Sequence, residues 1–416
     1  MASLLNENLK SDHLNVLVIG INYAPEPTGS APYTSGLAEM LAEDGHRVEA
    51  YAGIPHYPSW SVLPSDKFRL RYSEQRKGVL VRRFRHFVPG KQTMMRRIVW
   101  EMTFYLNALF SKPSRKPNVV IASTPSLSGA LLGVYFAKRY RVQLVTVVQD
   151  VLGEAVTKSG LKVNSKVGKF VGDLEKLAFR NSTRVCVVSP NFKQYVETSN
   201  LPTDRILNFP NWTHISSASR TREEARAEFG WTETDAILLH TGNMGLKQDL
   251  GNLISTARLF ENDPSIKFIL CGDGNQKAAL QTLAVGVSKI EFLDSVSDLE
   301  YPNLLLAADI LLVNEKDSVG DMSLPSKLTS YLTAGRPIVA AVSAGGSCAS
   351  ELANTGGAAI VVSPNRPDQL ADAIRDLLKS PSKVREMSEA GVLYAQSHLS
   401  KAQAKQRIGE ILKGLR

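Results

Sequence analysis

Cysteine is scarce in this 416-residue chain, and Cys186, Cys271 and Cys348 are odd in number and far apart. They form neither a disulfide framework nor a metal-ligand spacing, which fits a reducing compartment. No run reaches the roughly 18 to 20 uninterrupted apolar residues of a spanning helix. The opening residues MASLLNENLKSDHLN hold no apolar signal core. The loop after the first apolar run lacks Gly-x-Gly-x-x-Gly, so a dinucleotide site is not expected there. No Ser/His/Asp order and no His/Cys cluster supports a nucleophilic triad or a metal mechanism. Internal repeats and low-complexity tracts are absent too. The expectation is an intracellular protein, cytoplasmic or peripheral on the inner face of a membrane.

Surplus charge is absent from most of the chain as well. The balance is 49 Lys+Arg against 40 Asp+Glu, a formal net charge of +9. Between Lys67 and Arg97 stand eleven basic residues and one acid, Glu74, and the remainder is balanced at 38 against 39. With 43% hydrophobic and 21% charged residues the composition is globular. The length exceeds what one core usually organises, so two domains are expected.

Short β-branched runs alternate with amphipathic stretches. Val16–Ile21, Arg47–Ala52, Val119–Ala122, Leu144–Val148 and Val185–Val188 read as strands. Helical patterns at Thr34–Glu43, Leu127–Arg139 and Lys166–Phe179 lie between them. Continuous apolar strands separated by helices indicate a parallel sheet covered on both faces. The rhythm pauses at Asn208-Phe-Pro-Asn-Trp-Thr and restarts after a charged helix at Arg222–Phe229. A second set follows at Ile237–His240, Phe268–Cys271, Ile290–Leu293, Ile310–Val313 and Ile338–Ala341. The fold class expected is therefore α/β, with two Rossmann-like doubly wound domains facing a central cleft. The divisions expected are 1–212, 213–399 and a basic amphipathic helix over 400–416.

Ligands of doubly wound sheets bind beyond the carboxyl ends of strands. The first such loop, Gly20-Ile-Asn-Tyr-Ala-Pro-Glu-Pro-Thr-Gly29, is stiffened by proline, and Gly29 precedes a helix that can receive an anion. A rigid connector is the other reading. In Leu239-His-Thr-Gly242-Asn-Met-Gly245-Leu-Lys247, two glycines allow close approach to a phosphate, and Lys247 supplies a cation. Phe268-Ile-Leu-Cys-Gly272-Asp-Gly274 repeats the pattern, as a nucleoside contact or a plain turn. Lys327 would lie in the first turn of a helix beginning near Pro325. A cation there opposes the helix dipole unless an anion neutralises it. Asp150 closes the run Leu144–Gln149, placed to hold an acceptor hydroxyl, act as a base or simply bond its own loop. His56, after the second strand, is a weaker candidate of the same kind.

Taken together, Gly-Ile-Asn-Tyr-Ala-Pro-Glu-Pro-Thr-Gly, Val-Gln-Asp, Asn-Phe-Pro-Asn-Trp, Gly-Asn-Met-Gly-Leu-Lys-Gln and Leu-Pro-Ser-Lys-Leu-Thr-Ser-Tyr-Leu resemble a known family. It is the retaining GT-B glycosyltransferases of group 1 (family 4 type), in particular the colanic-acid biosynthesis fucosyltransferase subgroup. The resemblance runs from about residue 15 to 340. It implies an N-terminal acceptor domain and a C-terminal domain binding a nucleotide-diphosphate sugar, with the terminal helix crossing back. Lys247 falls where relatives place a diphosphate-binding lysine, Lys327 matches the lysine of the Pro-Ser-Lys variant motif, and Asn243 falls where many have arginine. Gly29 falls where a glycine meets the donor, and Asp150 near the acceptor. Gly242, Gly245, Gly272, Gly274 and Leu293 would line the donor loops. Relatives often carry two glutamates eight positions apart. Here Met322 and Ser330 take those positions, and Asp321 is the nearest acid. The resemblance further implies a retaining hexosyltransferase without protein nucleophile, catalytic metal or other cofactor.

For the basic segment, no nucleic-acid module is evident. Arginines 82, 83, 85, 96 and 97, with Trp100 in the apolar stretch 98–110, fit an anionic membrane interface where a polyprenyl-diphosphate-linked glycan acceptor would sit, with His56 on the acceptor side. Core packing of 98–110 and a solvated basic face remain open. So do a nucleotide-sugar epimerase and a non-catalytic scaffold of the same fold.

Overall fold

Apolar β-branched runs between glycine and polar turns form two sheets in a computed structural model, which describes residues 13–27, 29–90, 93–151, 165–319 and 324–415. The chain divides into one unit of Met1–Pro210 with Ala404–Arg416, and a second of Asn211–Gln403. The first unit holds β1 (Asn15–Ile19), β2 (Arg47–Gly53), β3 (Arg71–Arg76), β4 (Val79–Phe84), β5 (Val119–Ser123), β6 (Gln143–Val148), β7 (Arg184–Val187) and β8 (Ile206–Asn208). Their order is β3-β4-β2-β1-β5-β6-β7-β8. Every pair is parallel except the edge pair β3–β4. Ala404–Arg416, most of the terminal helix Lys401–Lys413, packs with this unit. Lys405 pairs with Asp44 at 2.8 Å, and Gln143 donates to the Leu415 carbonyl at 2.6 Å.

The second unit holds β9 (Ala236–Thr241), β10 (Ile266–Cys271), β11 (Ile290–Leu293), β12 (Ile310–Asn314), β13 (Ile338–Ala341) and β14 (Ala359–Val362). They form one parallel sheet in the order β11-β10-β9-β12-β13-β14. Strand β9 shows why the run is apolar throughout. Ile237 and Leu239 enter the core on one face, and Leu238 enters the core on the other. Burial on both faces removes the polar alternation that a half-exposed strand would show.

Strands β3, β4, β8 and β14 lie outside the runs expected from the sequence. The charged stretch 71–84 is an edge hairpin turning at Lys77-Gly78, both with positive φ, the geometry of a two-residue connection. Lysine and arginine on an edge pair also discourage pairing with another chain. The stretch expected over 98–110 is the helix Met94–Leu109, capped by the Thr93 side chain. Among the described residues no helix is long and apolar enough to cross a membrane.

Candidate active site

The loops beyond β9, β10 and β12 converge in the second unit. Gly242 N–H donates to the Cys271 carbonyl at 2.9 Å, and Met244 N–H to the Asp273 carbonyl at 2.8 Å. Gly272 (φ +143°) and Gly274 are required by this approach. A Cβ on Gly272 would overlap the Gly242 carbonyl oxygen, and one on Gly274 the Met244 carbonyl oxygen. These glycines therefore serve a loop-to-loop contact, beside the two readings of a nucleoside contact and a plain turn. Leu293 is half-buried, and its carbonyl accepts the Gly272 N–H at 3.0 Å. From β12, Asn314 donates to the Gln248 and Asp249 carbonyls at 2.7 and 2.9 Å, and accepts from Asn252 at 2.8 Å. Lys316 N–H bonds the Lys247 carbonyl at 2.8 Å. The segment from Gly245, whose N–H bonds Gln248, to Asp249 is thereby pinned, with Asn243 and the Lys247 side chain exposed.

Lys327 opens the helix Lys327–Ala334, with Ser326 rather than Pro325 at its N-cap. Its Nζ lies 3.0 Å from His240 Nε2 at the end of β9. A Cβ on Gly242 would stand 3.7 Å from Lys327 Nζ, so the side chain lies along the glycine loop. Burial lowers the Lys327 ammonium to about 7 against the opposing pull of Glu315. Burial raises the Glu315 carboxyl to about 7 against Lys327 and Lys247. Burial, and then the Lys327 charge, hold His240 well below its ordinary value. Cys348, on the helix Ser347–Ala353, is held high by burial and then by Glu315. The cluster sets one buried ammonium, without an ion pair among the described residues, near the exposed Lys247 in a poorly hydrated place, which suits a bound anion. His240, Glu315 and Asn314 were not singled out from sequence. His240 within an apolar strand resembles any core histidine, and only the sheet order sets it beside Lys327.

Ser330 is fully buried on the same helix, near the Tyr301 hydroxyl. Tyr301 meets Thr241 Oγ1 at 3.0 Å, and Thr241 meets Tyr331 at 3.1 Å. Ser330 is thus buried beside the Tyr301, Thr241 and Tyr331 hydroxyls. Asp321 and Met322 lie outside the described residues. Among the described residues no group of three His, Cys, Asp or Glu side chains is placed to hold a metal ion.

In the first unit, Gly29 is exposed with φ +71°, just before the helix Ala31–Glu43, and lies near the Tyr57 ring. Glu26 ties its loop to the turn beyond β2. The His56 and Tyr57 N–H groups donate to Oε1 at 2.9 and 3.0 Å, His56 Nδ1 lies 3.0 Å away, and Asn22 donates to Oε2 at 2.8 Å. Burial pushes the Glu26 carboxyl up, but the His56 and Asn22 bonds outweigh it and hold it below the usual range. His56 is buried, and among the described residues its Nε2 has no hydrogen-bond partner beside the His86, Trp60 and Trp100 rings. Asp150 is half-buried after β6, and its carbonyl accepts from Thr124.

The basic segment divides. Arg83 is fully buried, bonded to Glu74 and to the Gly53 and Ala24 carbonyls, so it cannot face a membrane. Trp100 is buried as well. Both side chains were expected on an interface; core burial overrides that expectation. Arg82 pairs with Glu49 at 2.7 Å, and Arg85 bonds the Asp66 carbonyl at 3.1 Å. Arg96 and Arg97 are exposed at the start of their helix. Trp100, Phe104 and Ala108 turn inward, while Met95, Val99, Met102 and Leu106 are exposed 40–70% along the other face. The core-packing reading thus describes one face of the helix, and the other face leaves apolar side chains exposed.

Residues 28–212 match the family described as a glycosyl transferase 4-like domain, and residues 221–393 match glycosyl transferases group 1. The chain is 29% identical over 380 residues to WcaI of Escherichia coli (strain K12), named as a colanic acid biosynthesis glycosyl transferase, covering 88% of this chain and 93% of that one. It is 24% identical over 196 residues to a GDP-mannose-dependent mannosyltransferase of Corynebacterium glutamicum that acts on a monoacylated phosphatidylinositol monomannoside, covering 46% of this chain and 50% of that one. Among solved structures, Anabaena HepE in complex with UDP-glucose superposes with a TM-score of 0.69 at 18% identity, covering 97% of this chain and all of that one. Sucrose-phosphate synthase of Thermosynechococcus elongatus superposes at 0.73 with 16% identity, covering 97% and 99%. At such identities the structures speak for the fold, and the two family matches carry the assignment: the chain belongs to the GT-B glycosyltransferases of group 1 and resembles WcaI.

Proposed function

We propose that this protein moves a hexosyl group from a nucleotide-diphosphate sugar to a lipid-linked glycan, with retention and without a metal, on an anionic membrane face inside the cell. The observation that carries the reading is Lys327 lying along the Gly242 loop beside His240, at the carboxyl ends of β9 and β12. The anomeric C–O bond to the diphosphate breaks, and a C–O bond to an acceptor hydroxyl forms. The hydroxyl proton ends on the departing diphosphate. Charge grows on the leaving phosphate, and fixed donors that meet it there are commonly the largest catalytic contribution. Lys327 and Lys247 supply the charge that a divalent cation would otherwise bring. In the first unit, the Glu26-bound loop and Asp150 stand for the acceptor side, and polysaccharide assembly is the setting that the WcaI likeness favours.

Thermal stabilisation of the full chain by GDP-, UDP- and dTDP-sugars identifies the donor, since a ligand at a hundred times its Kd adds about 2.7 kcal/mol. Transfer from that donor to a polyprenyl-diphosphate glycan, undiminished by EDTA, is the expected result. A changed sugar without an acceptor product would point to an epimerase. No donor binding at all would leave a scaffold.

A further inference from the structure

Lys327 is long and flexible, yet its ammonium has one defined neighbour. His240 is fully buried, and its Nδ1 lies 3.0 Å from the Leu312 carbonyl oxygen. A carbonyl only accepts, so the proton sits on Nδ1 and Nε2 presents a lone pair. Lys327 Nζ, 3.0 Å away, must then be the donor. Among the described residues this is the hydrogen bond that the ammonium makes, and Glu315 does not come within 4.0 Å to form an ion pair. Two N–H bonds remain for an anion, and the imidazole fixes the direction in which they point. Leu312 in turn belongs to β12, so the chain of contacts runs from the sheet through the imidazole to the lysine.

Resting on the glycosyltransferase reading, we propose that His240 is a positioning residue: it holds Lys327 by its Nε2 so that the ammonium meets the diphosphate of the donor. Four other groups face this ammonium or its neighbours and set the sign of its titration. Glu315 beyond β12 favours the charge; Lys247 on the β9 loop helps keep Glu315 ionised and so supports that effect; Cys348 and neutral His240 complete the surround. An acceptor at Nε2 favours the ammonium over the amine. Its loss makes the charged form harder to keep, so binding of an anion should fail at lower pH.

Two substitutions separate positioning from packing. His240→Asn keeps a donor where Nδ1 stood, towards Leu312, but offers nothing to Lys327. His240→Gln reaches Lys327 with Oε1 but gives up the Leu312 bond. The full chain is titrated calorimetrically with GDP, UDP and dTDP between about pH 7 and 9, above the range where a terminal phosphate itself titrates. We expect His240→Asn to weaken the nucleotide that binds the wild type about tenfold, the scale of a hydrogen bond to a charged group. The upper limb of its pH profile should move down by about half a unit to one unit. His240→Gln should stay within about threefold with the limb in place. On a Lys327→Ala background, His240→Asn should cost nothing further, because the two act as one unit. The reverse order, with Asn like wild type and Gln impaired, or additive losses on the Lys327→Ala background, would overturn the positioning role. If none of the three nucleotides binds the wild type, the glycosyltransferase reading falls first, before any variant is measured, and the positioning role falls with it.

Discussion

Lys327 stands at the first position of a helix, where unsatisfied N–H groups already carry partial positive charge. A lysine there is unfavourable twice over, by dipole and by burial, and burial lowers its ammonium to about 7. Such a group is retained when an anion relieves both penalties. Replacing Lys327 with alanine should therefore lower kcat on the order of a hundredfold with an identified donor, the loss typical of one charge-stabilising group. Unchanged kinetics would remove it from the chemistry. Gly272 makes a different prediction at the same scale. Its left-handed φ and the Gly242 carbonyl beside it leave no room for a methyl group. Gly272→Ala should cost about 3 kcal/mol of stability in urea melts and weaken donor binding, since the Gly242 loop must shift to make room. The lysine and the glycines were visible in the sequence as types in a pattern. His240 was not, because its meaning depends on β12 lying next to β9, and strand order is not written in local periodicity.

At the scale of elements, the parallel strands declared themselves through continuous apolar runs, as β9 shows with side chains entering cores on both faces. The hairpin β3–β4 did not. Its alternation of exposed and half-buried residues is carried by arginine, serine and glutamate, which look like a solvated charge run until strand pairing buries Arg83. The helix Met94–Leu109 was legible as apolar but not as two-faced. Trp100, Phe104 and Ala108 recur at a spacing of four and fill the core, while Met95, Val99, Met102 and Leu106 form an outward stripe beside Arg96 and Arg97. Exposed apolar side chains flanked by arginine suit an anionic lipid interface. Met102→Glu with Leu106→Glu should remove the part of the flotation with anionic liposomes that persists at high salt. Thermal stability should change by less than about 1 kcal/mol, because neither side chain is in the core. Undiminished flotation would detach this helix from the membrane reading.

For the molecule as a whole, the net charge of +9 is a difference between unlike parts. The first unit, residues 1–210 with 404–416, carries 32 basic and 17 acidic residues, and the second carries 17 and 23. The segment 67–97 accounts for much of the first figure, yet the rest of that unit is basic as well, a bias that the division of the fold brings out. A negative second unit is consistent with a donor site that relies on a few placed lysines and not on a general positive field. Anionic lipid should accordingly attract the unit that holds Arg96 and Arg97, through charges on its surface. Each such charge contributes about 1 kcal/mol near an anionic surface, and the attraction is screened within about 10 Å at 0.1 M salt and 3 Å at 1 M. Sedimentation of the full chain with vesicles of neutral lipid plus anionic lipid should fall steeply as salt rises from about 0.05 to 0.5 M. The apolar stripe should leave a weaker remainder that salt does not remove, because burial of apolar area is not screened. Arg96→Glu with Arg97→Glu should flatten the salt dependence and spare the remainder, whereas loss of Met102 and Leu106 should do the opposite. Binding that is insensitive both to salt and to anionic lipid would mean that this charge asymmetry serves something other than a membrane.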